Sequence, residues 1–445
     1  MLDTRLNFRH ENLLTLVKQS FVSSCSRLKL RDKANNISNL DCLMSGLAIF
    51  SLKFPSLLQW DIACKADPVI NHNISSLYGV KNIPCDTYLR ERLDVVHYDV
   101  TRLAFTKIFS HLQRGNILNE FRFLDKYYLV SIDGTGYFSS HEIFCENCCV
   151  KESKTTGKTY YHQMLSGALV HPGQKVVFPF APEPIMKADG AEKNDCERNA
   201  AKRWLEKFRR EHPHLPVVIV ADGLSSNTPF IKLLQEYNMN YILVARESDH
   251  KYLSDWIKQA EPCDAPSLVT EKQGIIHKYQ WMNDVPLNAS SDINVSVLRF
   301  SEQKRKHKKK SNEESITSWM WVTNFSLNKQ NVPLIAKGGR ARWKIENETF
   351  NTLKNNGYNF EHNYGHGNKY LNTLFAHLML LAFFIDQVIQ ILDKKFIAAW
   401  QKLKSKIALW ETVRGYVRHY YITSFEALYT DIAAPPEQRI TRHTL

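Results

Sequence analysis

PVVIVADG, Pro216 to Gly223, is an unbroken apolar run closed by an aspartate and a glycine. A run this short, without polar alternation, belongs to a strand buried on both faces. Such a strand needs covering layers on both sides, which restricts the chain to an α/β arrangement of sheet and helices. The surrounding segments agree. Lys126 to Ser140, Tyr160 to Gln174 and Lys175 to Ile185 are rich in aromatic and β-branched residues, are broken by Gly and Pro, and read as three successive strands. Glu192 to His212 reads as a long helix, ended by Pro213 and Pro216. Thr228 and Pro229 have the form of an N-cap and first helical residue, opening a helix through Tyr237, and Asn240 to Arg246 supplies a fifth strand. The order is three strands, helix, strand, helix, strand, a mixed sheet flanked by helices.

Outside this block the pattern differs. Residues 1–120 carry helix-like spacing punctuated by Pro55, Pro68 and Pro84, and read as a separate, mainly helical region. Residues 250–330 contain strand-like pieces between polar loops, a β-rich insertion. Within it Lys304 to Lys310 has six Lys or Arg in seven residues. The simplest reading of that run is a mobile solvated loop, and the reading adopted is phosphate contact by Lys304, Arg305, Lys306, Lys308, Lys309 and Lys310. Residues 396–445 read as a helical C-terminal region.

A formal charge of +13 points to a polyanion, nucleic acid before an anionic membrane surface. Tyr370 to Leu392 is the one transmembrane candidate, but Asn372, His377, Asp386 and Gln387 suit a buried helix better than a lipid-facing one, so a soluble protein is expected. Nine cysteines without a secretory leader pattern fit a reducing compartment, and the expected location is cytoplasmic, at the nucleoid.

Asp133 and Asp222 each follow an apolar strand and precede a glycine. Either one alone reads as a turn residue. Together with a helical glutamate they suit two-metal phosphoryl transfer, in which carboxylates on separate rigid elements hold Mg²⁺ or Mn²⁺ ions roughly 3.5–4 Å apart. The helical pattern Arg340 to Tyr358 offers two glutamates. At α-helical spacing Glu346 falls among Trp343, Phe350 and Leu353, where a carboxylate needs a cation, whereas Glu348 falls on the polar side, four residues after Lys344.

These segments, SIDGTGYFSS, the YYHQ and VHPG strands, EKNDCERNAAKRWL, VADGLSS and RWKIENETFNTLKNNGYNFEHNYGHG, together resemble the DDE transposases of bacterial insertion sequences, over about residues 40 to 390. The resemblance implies an RNase-H-like core in two parts, 121–249 and 331–395, split by the 250–330 insertion. It also implies catalytic, metal-holding roles for Asp133, Asp222 and Glu346 with two Mg²⁺ or Mn²⁺ ions. The implied reaction is cleavage at the ends of a mobile element and joining of the freed 3′-hydroxyl to target DNA. The implied partners are element termini and target DNA, with a homodimer or higher oligomer on the DNA and no membrane; the N-terminal helices are the natural reader of the ends. Around the glutamate the subgroup has Y-x2-R-x3-E-x6-K. Arg342 and Glu346 keep the R-x3-E spacing, Gly339 stands at the Tyr position, Leu353 stands at the Lys position, and Lys354 follows one residue late. Arg342 and Lys354 are the implied phosphate contacts. Two other readings share these residues: an RNase-H-like nuclease that cuts without joining, and a DNA-binding descendant without catalysis.

HEIFCENCC adds a C-x-x-C pair, Cys145 and Cys148, with Cys149 adjacent, His141 before it, and Cys196 and His162 on neighbouring expected elements. The set Cys145, Cys148, Cys196 and His162 reads as a zinc site or as small buried thiols.

Overall fold

The computed structural model describes residues 7–30, 32, 37–190, 193–260, 266–289, 292–308 and 311–434. At its centre, strands β1 (Tyr127–Ser140), β2 (Cys149–Ser153), β3 (Gly157–Val170), β4 (Val217–Ala221) and β5 (Asn240–Val244) stand in the order β2-β3-β1-β4-β5. β3 runs antiparallel to β1 and β2, while β1, β4 and β5 are parallel. Parallel neighbours need crossovers. The helices Lys193–Glu211 and Thr228–Glu236 supply them, and every residue of β4 is buried beneath the covering layers. The second crossover helix is capped by Asn227, whose side chain accepts from Phe230 N, one residue before the cap expected from the sequence.

The stretch Lys175 to Ile185 is not one strand. It forms two short pieces, Phe178–Pro179 and Glu183–Ile185, that share the outer edge of β3 with β2. Pro179, Pro182 and Pro184 lack the N–H groups a continuous ladder would use.

Strands β6 (Ser267–Lys272), β7 (Ile275–Pro286), β8 (Asn294–Lys308) and β9 (Ser311–Thr323) form an antiparallel meander. Its last strand, β9, pairs with β5 at Trp321↔Val244, so the β-rich stretch continues the central sheet rather than hanging from it. The basic run lies on paired strand as far as Lys308, where the register sets Arg305 opposite Glu314 and Lys306 opposite Glu313. A loop was the simpler expectation; the backbone is instead a paired strand as far as Lys308.

The helices from the two ends of the chain share one core. His10 N donates to Asp393 Oδ2, and Asn73 Nδ2 donates to the carbonyls of Val417 and Tyr420. Lys53 Nζ meets Asp386 Oδ2 at 2.6 Å, both side chains buried. The N-terminal helices are thus not a body apart from the C-terminal ones. The helix Leu371–Leu392 is long and apolar enough to cross a membrane, and 94% of its most apolar stretch is buried inside the protein. Three of its polar side chains find partners there: Asp386 Oδ2 with Lys53, His377 Nδ1 with Thr101 Oγ1, and Gln387 Oε1 with Val177 N, while His377 Nε2 and Asp386 Oδ1 have none among the described residues.

The crossover helix Lys193–Glu211 is drawn tightly onto β3. A Cβ at Gly167 would stand 2.1 Å from Trp204 Cζ2, so only glycine admits the indole there. Glu183, buried, accepts from Arg203 at 2.9 Å and Lys207 at 2.8 Å and fastens the same helix to the edge of the sheet.

Candidate active site

The last register pair between β1 and β4 is Ser131↔Val220. Two residues further along each chain lie Asp133, still within β1, and Asp222, just past the end of β4. Both aspartates line one small pocket with Glu197 and Arg198 of the crossover helix. Asp133 Oδ1 accepts from Gly134 N at 2.9 Å, and Asp222 Oδ1 accepts from Leu224 N at 3.1 Å. Asp222 caps the short helical turn Gly223–Ser225, whereas Asp133 lies inside β1, which continues through Gly134 to Ser140, so the Asp-Gly turn expected at Asp133 does not form.

The third acid comes from an irregular helical stretch. The sequence suggests one amphipathic helix over Arg340 to Tyr358. Instead a helix ends at Arg340, Ile345–Phe350 forms a π-helical turn, and Asn351–Asn355 returns to α. A π turn holds more residues than 3.6, so facing cannot be read at α-helical spacing. The buried side is Ile345, Thr349, Phe350 and Leu353, while Trp343 is 49% exposed and both Glu346 and Glu348 are half-buried. Trp343 is therefore not packed in the core as expected, whereas Phe350 and Leu353 are. The two glutamates still face apart: the charge of Glu346 acts on Asp133, and that of Glu348 acts on Lys406. The suggested Lys344–Glu348 pair does not form; Lys344 Nζ donates to Gln174 O at 2.6 Å.

Arg342 ties this stretch to β1 twice. Its carbonyl accepts from Ser131 Oγ at 2.9 Å, and its Nη1 donates to Asp133 Oδ2 at 3.2 Å. Only 8% of Arg342 is exposed. Asp133 is pushed up to about 6, first by burial and then by Asp222 and Glu346, against the pull of Arg342 and the Gly134 N–H. Asp222 and Glu346 both act on the half-buried Asp133 carboxyl, and three carboxylate oxygen donors of this kind suit Mg²⁺ or Mn²⁺. They do not close into a cage. Among the described residues only Cys145, Cys148, His162 and His366 bring ligand atoms within 4.8 Å of one another.

From Asp222 a groove of about 640 Å³ runs along the junction of the core with the β-rich stretch. Arg246, Lys278, Arg299 and Arg342 line it, with Trp319 and Trp343 among them. Cations interleaved with aromatic faces are the surface that a nucleic-acid strand fills. Sequence reading missed Arg246, Lys278 and Arg299. Each is one isolated cation on or after a strand, and only the sheet order brings them together. Glu197 was missed as well, hidden in a charged helical face.

Other expected site residues lie elsewhere. Lys354 pairs with Glu361 at 2.7 Å and Lys304 with Glu302 at 2.6 Å. Lys309 and Lys310 are outside the described residues, as are the side chains of Arg305, Lys306 and Lys308. Of the thiol set, Cys145, Cys148 and His162 come together, but Cys196 does not join them. Its Sγ bonds to Gly190 O and the fourth member is His366. His366 reaches the cluster because Gly365 and Gly367, both at positive φ, turn the chain sharply around it. A histidine between two glycines was the available signal. His141 is exposed and bonds to Lys158 O.

No family model matches the chain, and no curated protein matches it. Among solved structures it is similar to a piggyBac transposase synaptic complex with hairpin DNA, studied by cryo-EM. The TM-score is 0.40 and the sequence identity 10%, over 99% of this chain and 84% of that one.

Proposed function

We propose that this chain is a DNA transposase with an RNase-H-like catalytic core, cutting the ends of a mobile element and joining the exposed 3′-hydroxyl to target DNA. The observation that carries the reading is the pair Asp133 and Asp222, which line one pocket, with Glu346 acting on Asp133 and Asp222 also lining a groove of cations and aromatics. The motifs resembling DDE transposases support it.

Asp133, Asp222 and Glu346 would hold two Mg²⁺ or Mn²⁺ ions. Bound there, the ions would supply Lewis acidity at the attacking and departing oxygens of the scissile phosphate. Arg246, Lys278 and Arg299 bind the DNA backbone in the groove, beside Trp319 and Trp343, whose rings carry the guanidiniums of Arg340 and Arg342. Arg342 lines the same groove while bonded to Asp133, so a phosphate at the groove's end lies between a cation and the carboxylates. The reaction needs no covalent enzyme intermediate. The protein would act on DNA as a homodimer or higher oligomer, at the nucleoid in the cytoplasm.

The test is to incubate purified protein and Mg²⁺ with DNA that flanks its gene and carries terminal inverted repeats, beside a target plasmid. The expected products are nicks at the repeat ends and joined 3′ ends. Cutting without joining would make the protein a nuclease, and specific binding with no cutting in Mg²⁺ or Mn²⁺ would make it a DNA-binding protein only.

A further inference from the structure

We infer that Cys145, Cys148, His162 and His366 form a structural zinc site that clamps β3, the partner of the strand carrying Asp133, and the turn before β2 to the chain leaving the glutamate segment. This inference stands whether or not the protein cuts DNA.

The four ligand atoms have the spacing of a coordination shell. Cys145 Sγ and Cys148 Sγ are 3.9 Å apart, and His162 Nε2 and His366 Nε2 are 3.1 Å apart. The mixed separations are 3.5 Å from Cys145 Sγ to His162, 3.3 Å from Cys148 Sγ to His162 and 3.4 Å from Cys148 Sγ to His366. A tetrahedron built from Zn–S bonds of about 2.3 Å and Zn–N bonds of about 2.0–2.1 Å has edges of about 3.8, 3.3 and 3.5 Å for these three kinds of pair. The observed edges match all three. Two thiolates with two imidazoles in a tetrahedron select zinc among the common metals.

The surroundings are those of a closed, ordered site. Cys148, His162 and His366 are buried. His366 Nδ1 donates to Gly367 O at 2.8 Å, which leaves Nε2 with its lone pair turned to the centre. Cys145 N donates to Cys148 Sγ at 3.4 Å, and Cys148 N donates to Cys145 O, wrapping the C-x-x-C turn around the sulfurs. Asp94 holds the His366 loop from the other side by accepting from the N–H groups of Asn368 and Lys369. With four protein ligands no position is left for substrate, so the role is structural.

The connection matters to the fold. His162 stands on β3 opposite Phe138 of β1, the strand of Asp133. His366 lies in the loop that follows Asn355, the end of the glutamate segment. Zinc would thus cross-link two parts of the chain that meet only in the tertiary structure.

The experiment is elemental analysis of full-length protein purified without chelator from zinc-supplemented medium, with the Cys145→Ser, His366→Ala and Cys196→Ser variants in parallel. Wild type and Cys196→Ser should each carry close to one zinc per chain, and the other two well under half. Replacement by Co²⁺ should give the visible absorption of a tetrahedral thiolate site in wild type, and chelation should lower its melting temperature. Cys145 is the least buried ligand, so its serine variant tests the site even if His366→Ala fails to fold. Folded wild type without stoichiometric metal would overturn the inference. So would iron in place of zinc, or equal zinc in Cys145→Ser and wild type.

Discussion

Arg342 Nη1 donates to Asp133 Oδ2 at 3.2 Å, joining a buried guanidinium to a carboxylate 209 residues earlier in the chain. Burial raises Asp133 most, and Arg342 pulls it down against the two anions Asp222 and Glu346, so its protonation reports burial and charge together.

In metal-free protein Asp133 should therefore titrate near pH 6, above an ordinary aspartate. Arg342→Gln removes the largest lowering influence and should move the midpoint higher. Asp222→Asn removes a like charge and should move it lower. Protons compete with cations for the deprotonated carboxylate, so Mg²⁺ affinity should fall up to about tenfold per pH unit below the midpoint. Carboxyl-carbon NMR of labelled protein measures the titration, and a wild-type midpoint near 4 would contradict the balance described.

Glu346→Gln should abolish metal-dependent cleavage while the protein stays folded, because it removes the charge that acts on Asp133. Glu348→Gln should retain most activity, since Glu348 acts on Lys406 on another side. Single-turnover cleavage of an element-end oligonucleotide compares the two; an inactive Glu348→Gln beside an active Glu346→Gln would assign the metal to the wrong carboxylate.

Arg246 and Lys278 are exposed on the groove, so replacing both with Gln should leave the fold intact. Each lost phosphate contact should flatten the dependence of log K on log salt by about 0.9, so the double variant should lose up to about 1.8. Fluorescence anisotropy across a salt series measures this. An unchanged slope would mean that the DNA runs elsewhere.

The buried pair Lys53 and Asp386 joins the N-terminal helices to the Leu371–Leu392 helix. Asp386→Ala strands a buried ammonium and should cost about 3–5 kcal/mol of stability, whereas Lys53→Met with Asp386→Leu should cost much less. Urea unfolding followed by circular dichroism separates the two, and equal losses would show that the charge itself is not what matters.

By itself the sequence determined four of the central sheet's five strands, without Cys149–Ser153, and both crossover helices, and it placed Asp222 rightly at a turn but wrongly ended a strand at Asp133. These are local properties: a buried strand declares itself by an unbroken apolar run, but the glycine after an aspartate marks a strand end only at Gly223, since Gly134 lies within the β1 ladder. The N-cap at Asn227 and the proline-broken edge at Lys175 to Ile185 were misjudged only in their limits. What the tertiary structure decided is everything that depends on closure over distance. The facing of Glu346 and Glu348 follows from a π turn, which departs from the α-helical period on which any sequence reading relies. The fourth member of the thiol cluster is His366, 218 residues from Cys148, and no spacing rule reaches that far. The groove cations Arg246, Lys278 and Arg299 meet because β9 adds to β5 and brings the meander alongside the core. Periodicity shows which face of an element is buried. Which elements then meet depends on packing between segments remote in the chain, a relation that local sequence spacing does not express.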